Sequence, residues 1–123
     1  METTFAIIAK MQYQGRMTWQ VVFLDAGAER EAQALPRDMQ AKLAHIVRLI
    51  ETMGLERIRE PYIKHVEGPL WEMRLTGRDG IARSIYVTAS GRRVVVLRTF
   101  VKKTQKTPRA EIDIALKRAR EIQ

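Results

Sequence analysis

Three strand-like runs, Leu70–Leu75, Ala82–Thr88 and Arg93–Val101, are separated only by the turn signals Gly77-Arg78-Asp79-Gly80 and Ser90-Gly91. Connections this short leave no room for a crossover, so neighbouring strands must run antiparallel. Such a sheet needs an apolar cover, and one is visible upstream. Leu35, Met39, Leu43, Ile46, Val47, Ile50 and Met53 recur at three- and four-residue spacing, the stripe of an amphipathic helix. Pro36 suits its first turn, where a missing N–H costs nothing, and Gly54 its C-terminal stop. Ala28–Ala34 is a shorter helical stretch before it. Residues 28–53 therefore read as a helical hairpin or one broken helix packed on a sheet.

Thr18–Leu24 (TWQVVFL) reads as a first strand, rich in β-branched and aromatic residues. Residues 54–69, holding Pro61 and Pro69, read as a loop. Thr107 is placed to cap a last helix that begins at Pro108, with Ile112, Ala115, Leu116, Ala119 and Ile122 along one face. The order is strand, helices, three antiparallel strands, helix. It predicts one α+β domain over residues 18–123, a small antiparallel sheet with helices on one face. Residues 1–17 read as an extension. They form either a tail, with Met17 as the alternative start, or an extra edge strand at Thr4–Ile8.

Composition bounds the function classes. At 123 residues and 46% hydrophobic content, one domain can bury a core without staples. The absence of cysteine removes disulfides, a thiolate nucleophile and Cys-ligated zinc. No apolar run approaches the ~20 residues of a membrane span, and Phe5–Ala9 is too short for a signal-peptide core. The expectation is a soluble, cytoplasmic protein. Charge is more informative. Between Arg74 and Lys106 lie nine positive residues and one negative, Asp79, so this stretch alone carries the whole net charge of +8. That concentration suits a surface that meets phosphates.

The segment from Pro61 onward carries a family resemblance. It reads K-x-x-x-x-x-x-W-E-M-R (Lys64, Trp71, Glu72, Met73, Arg74), then Arg83 opening the next strand. A long apolar strand then runs into F-V-K-K-T-Q-K-T-P (Phe100 to Pro108) and E-I-x-x-A-x-x-R-A (Glu111 to Ala119). This is similar to the phage-derived HigB-like branch of the RelE/ParE toxin superfamily. The resemblance covers about half of the chain strongly, and the F-V-K-K-T-Q-K-T-P match is its most specific part. Ala82 departs from the pattern, which usually has an aromatic before the second-strand arginine. The resemblance implies a RelE-like microbial ribonuclease fold and endoribonuclease cleavage of mRNA, on the translating ribosome. It implies no metal or cofactor, and a cognate antitoxin partner, typically a helix-turn-helix protein encoded beside the toxin.

Cleavage of RNA without a metal uses the substrate's own 2′-OH as nucleophile. A base must take its proton, a cation must steady the phosphorane, and an acid must protonate the leaving oxygen. On Leu70–Leu75, Trp71, Met73 and Leu75 share one face, expected against the helices, and Glu72 and Arg74 share the other, open face. Arg74 then reads as a phosphate clamp and Glu72 as its positioner or a proton acceptor; a plain cross-strand ion pair is the alternative. Arg83 reads as transition-state stabiliser, since a guanidinium grips phosphate with two parallel hydrogen bonds. Lys102 and Lys103 are candidate catalytic groups, because clustered ammonium groups depress one another's pKa. Lys64, His65, Arg78, Arg98 and Lys106 are candidate RNA contacts. Arg98, expected on one face with Val94, Val96 and Phe100, needs a buried partner, and Glu72 is a candidate. A structural role for Arg98 stands equally. Trp19 and Trp71 are expected in the core and His45 on a helix surface. Two other readings stay open: a non-catalytic ParE-like inhibitor of DNA gyrase, and a basic nucleic-acid-binding module without activity.

Overall fold

The computed structural model of the protein describes residues 18–102 and 105–122. The expectations for residues 1–17 and for Lys103 lie outside them. The elements are β1 (Gln20–Phe23), α1 (Ala26–Gln33), α2 (Arg37–Met53), β2 (Ile63–Glu67), β3 (Leu70–Gly77), β4 (Gly80–Ala89), β5 (Arg93–Lys102) and α3 (Arg109–Ala119). They form an α+β domain around a five-stranded sheet of order β1-β5-β4-β3-β2. As the short turns require, β3, β4 and β5 pair antiparallel. β1 joins one edge parallel to β5, and β2 forms the other edge. Among the described residues no helix is long and apolar enough to cross a membrane.

The amphipathic stripe of α2 does what its spacing predicts. Met39, Leu43, Ile46 and Ile50 are buried against Met73, Leu75, Ala82, Tyr86, Val94 and Val96. Each fully buried side chain of this size contributes about 1.5–3 kcal/mol. Gly54, at φ 94°, ends the helix in a backbone conformation that a side chain would resist. Gly77 sits where the β3–β4 turn meets α2: a Cβ there would lie 2.7 Å from Met39 Cγ and 2.9 Å from Asp38 Oδ2.

The sheet is covered on both faces rather than one. Ile112 and Ala115 of α3 pack on the opposite side from α2, against Leu70, Ile85, Val87, Val95 and Leu97. Three further expectations change. The segment read as a loop contains β2, an edge strand whose Lys64, His65 and Glu67 are exposed, so it lacks a strong apolar alternation. Trp71 is 39% exposed rather than in the core, because it projects at the β2 edge beyond the reach of α2. A bulge in β5 shifts the register between Ile85, opposite Arg98, and Tyr86, opposite Val96. Val94 and Val96 therefore face α2, whereas Arg98 and Phe100 share the α3 face with their partners Ile85 and Arg83.

Candidate active site

On the α3 face, strand register lines up the charged residues of the motif. Lys64 lies opposite Glu72, Arg74 opposite Arg83, and Lys102 opposite Ile81. Above them pass residues 105–108, which lead into α3. Together they enclose a hollow of about 440 Å³ lined by Lys64, His65, Glu72, Arg83, Lys102 and Lys106, with Thr107 and Arg109 among the others. Six of the ten predicted site residues thus share one cavity.

Its floor is buried. Glu72 is 3% exposed and Arg83 2%. The Arg83 Nη1–H donates to Glu72 Oε2, a charge-assisted bond in a dry setting. The other carboxylate oxygen, Oε1, accepts from Thr107 Oγ1 at 2.7 Å. Thr107 therefore does not cap α3, which has Pro108 at its N-cap and no side-chain cap bond. Glu72 was expected on an open, solvated face; α3 and its leading turn cover it instead. Arg83 Nε, buried on the same guanidinium, has no hydrogen-bond partner among the described residues. Buried donors are nearly always partnered, and an anionic oxygen would suit this one.

Lys102 is 7% exposed, and its ammonium donates to the carbonyl of Gln105. Its pKa is held below the ordinary lysine value, first by burial and then by the Arg83 guanidinium, with Arg74 and Lys64 adding smaller repulsions against the opposing pull of Glu72. Clustering of cations was the expected cause; burial is the larger one. At the rim, Arg109 grips Glu67 with two bonds of 2.8 and 3.0 Å. His65 donates from Nε2 to the carbonyl of Gly68 at 2.8 Å and meets Trp71 edge-on, ring centroids 5.0 Å apart.

The remaining candidates are placed elsewhere or beside the hollow. Arg74, half-buried, flanks it on the same sheet face. Arg78 is exposed at the β3–β4 turn, where its backbone N–H donates to Asp38. Arg98 does not pair with Glu72. It bonds Glu111 of α3 at 3.0 and 3.2 Å and Glu31 of α1 at 2.6 Å, and Arg118 joins Glu31 at 2.9 Å. This cluster ties both helices to β5. Sequence reasoning missed Thr107 and Arg109 as lining residues. Their signal was adjacency to Lys106 in the turn, masked by the capping reading of Thr107.

The geometry offers buried cations able to neutralise a phosphodiester, one ammonium biased toward giving up its proton, and a carboxylate held by two donors. Among the described residues no cluster of three or more His, Asp or Glu side chains is arranged to hold a metal ion.

The family model for Phage derived protein Gp49-like matches residues 30–120. Among solved structures, the chain is similar to one from the archaeal RelE–RelB complex of Pyrococcus horikoshii OT3. The identity is 20%, the TM-score 0.49, and the match covers 69% of this chain and 96% of that one. No curated protein matches the chain.

Proposed function

This chain belongs to the phage-derived Gp49-like family, a RelE/HigB-like family of type II toxins, and from that premise we propose that the hollow is an endoribonuclease centre. Its substrate is mRNA, cut on the ribosome, and a cognate antitoxin keeps it inactive. One observation carries the reading: a single cavity gathers Lys64, Arg83, Lys102 and Lys106 around the buried carboxylate of Glu72, with Arg83 and Lys102 buried.

The roles follow from where each group stands. Lys64 and Lys106, exposed at the rim, attract the RNA backbone. Arg83 lines the hollow and is anchored by one nitrogen on Glu72, so its guanidinium charge can steady the phosphorane as charge develops there. Loss of such a donor costs about 10²–10³-fold in rate. Lys102, with its lowered pKa, is suited to protonate the leaving 5′ oxygen as the 2′-OH attacks and passes its own proton to solvent water, a contribution of about 10²–10⁴-fold. Both oxygens of Glu72 are engaged, by Arg83 and Thr107, which favours the positioning role over proton acceptance. Arg74 steadies the backbone from the flank.

An antitoxin, expected to be a helix-turn-helix protein encoded adjacently, would cover the basic face with acidic or amphipathic elements. It should co-purify with this chain. Primer extension on transcripts during induction tests the activity. Codon-linked breaks that vanish in Arg83→Ala support the reading. Intact transcripts with damaged DNA would instead select gyrase inhibition, and normal translation with normal DNA would remove both.

A further inference from the structure

The hydroxyl of Thr107 is spent inside the hollow, on Glu72, although the residue stands where a helix cap is expected. The same short turn supplies the Gln105 carbonyl that receives the Lys102 ammonium. Two site residues from different strands are thus held by one turn. Glu72 sits between two donors, Thr107 on Oε1 and Arg83 on Oε2. A carboxylate bonded at both oxygens is held against rotation, and its bond to Nη1 then restrains the guanidinium. The orientation of that guanidinium decides where its uncommitted Nε points.

We infer that Thr107 is a positioning residue: through Glu72 it fixes the orientation in which the Arg83 guanidinium faces the hollow. This rests on the endoribonuclease reading for its kinetic consequence, but not for its structural one. Thr107 itself touches no reacting atom. Its removal leaves the RNA-attracting rim intact, so the loss falls on the chemical step and not on binding. Serine keeps the hydroxyl and valine keeps the shape without it, so the two substitutions separate the bond from the packing.

The test uses the full chain with ribosomes and mRNA, comparing Thr107→Val, Thr107→Ser and, as a control, Thr99→Val. Thr99 shares a buried hydroxyl bond of 2.9 Å with Ser84 on the α2 face, outside the hollow. Thr107→Val should lower kcat by about 10- to 100-fold with KM changed less than about 3-fold. Thr107→Ser should restore most of it, and Thr99→Val should cut at the wild-type rate per folded molecule. Nitrogen-15 spectra of the RNA-free protein give a readout independent of cleavage. The Arg83 Nε–H signal should be sharp in wild type and Thr107→Ser, and broadened or exchanged in Thr107→Val. An unchanged kcat in Thr107→Val, a change confined to KM, or equal loss in the serine and valine variants would overturn the inference. A wild-type protein that cuts nothing yet shows the predicted spectra would overturn the ribonuclease reading and leave the positioning role standing. Spectra unaffected by Thr107→Val would overturn the positioning role whatever the cleavage result.

Discussion

Glu72 and Arg83 meet diagonally across β3 and β4: the register sets Arg83 opposite Arg74 and Glu72 opposite Ile85, yet the guanidinium reaches back to the carboxylate. Two arginines facing each other across strands repel. Turning one of them onto Glu72 relieves that repulsion and buries the pair beneath the turn leading into α3. Removing one partner then leaves a buried charge alone. Glu72→Ala should lower unfolding free energy by about 3–5 kcal/mol in urea titrations. The double variant Glu72→Met/Arg83→Met should lose less than Glu72→Ala, because neither charge is left stranded. Additive losses would contradict this account of the pair.

Lys102 is expected to trade stability for activity. Burial and the neighbouring Arg83 depress its folded pKa below the unfolded value of 10.5. Between the two values the unfolded chain binds more protons than the folded one, so stability attributable to this group rises with pH. Below the folded pKa the buried ammonium is a net cost. Lys102→Met should therefore be more stable than wild type near neutral pH, and the advantage should shrink as pH climbs toward 10.5. Thermal unfolding across neutral to alkaline pH reads this directly; a wild type more stable than Lys102→Met at neutral pH would contradict it.

Glu31 gives the opposite sign. Burial alone would raise its pKa, but the Arg118 and Arg98 guanidinium groups outweigh that and hold it below 4.5. Its stabilising contribution is complete above the unfolded value and is lost as pH falls through the folded one. Glu31→Gln should cost about 2 kcal/mol at neutral pH and flatten the acid side of the stability profile below pH 4.5. The measurement is urea unfolding from pH 3 to 7 on both proteins.

Gly77→Ala should be destabilising for a steric reason. Its Cβ would meet Met39 Cγ at 2.7 Å, and Met39 is buried. Overpacking of this kind costs about 1–3 kcal/mol. Pairing it with Met39→Ala should give less than the sum of the two losses, a coupling that denaturant titration of the double-mutant cycle would reveal.

Helices α1 and α2 and strands β3 to β5 were legible because apolar spacing and glycine turns are local signals. Strand β2 was not, since an edge strand with Lys64, His65 and Glu67 exposed shows little apolar alternation. The β5 bulge was hidden because Arg93–Val101 alternates smoothly in sequence; only pairing with β4 shows that Arg98 has changed face. The basic stretch reads as a surface for phosphates; of its residues Arg83, Lys102 and Lys106 line one hollow, joined there by Lys64 and His65 of β2. Charge counting carries no direction, however. It could not tell that Arg98 is taken up by Glu31 and Glu111, or that Arg78 stands at the β3–β4 turn. The covering of Glu72 by Thr107 depends on where α3 docks, a contact between residues 35 apart that no local pattern encodes.

The most direct test of the hollow as a cutting centre is single-turnover cleavage of ribosome-bound mRNA by wild type, Lys102→Met and Arg78→Ala, each verified as folded by its unfolding transition. The account predicts that Lys102→Met, a stable protein, loses at least about 10²-fold in cleavage rate, whereas Arg78→Ala cuts at nearly the wild-type rate. Wild-type cleavage by folded Lys102→Met would contradict it.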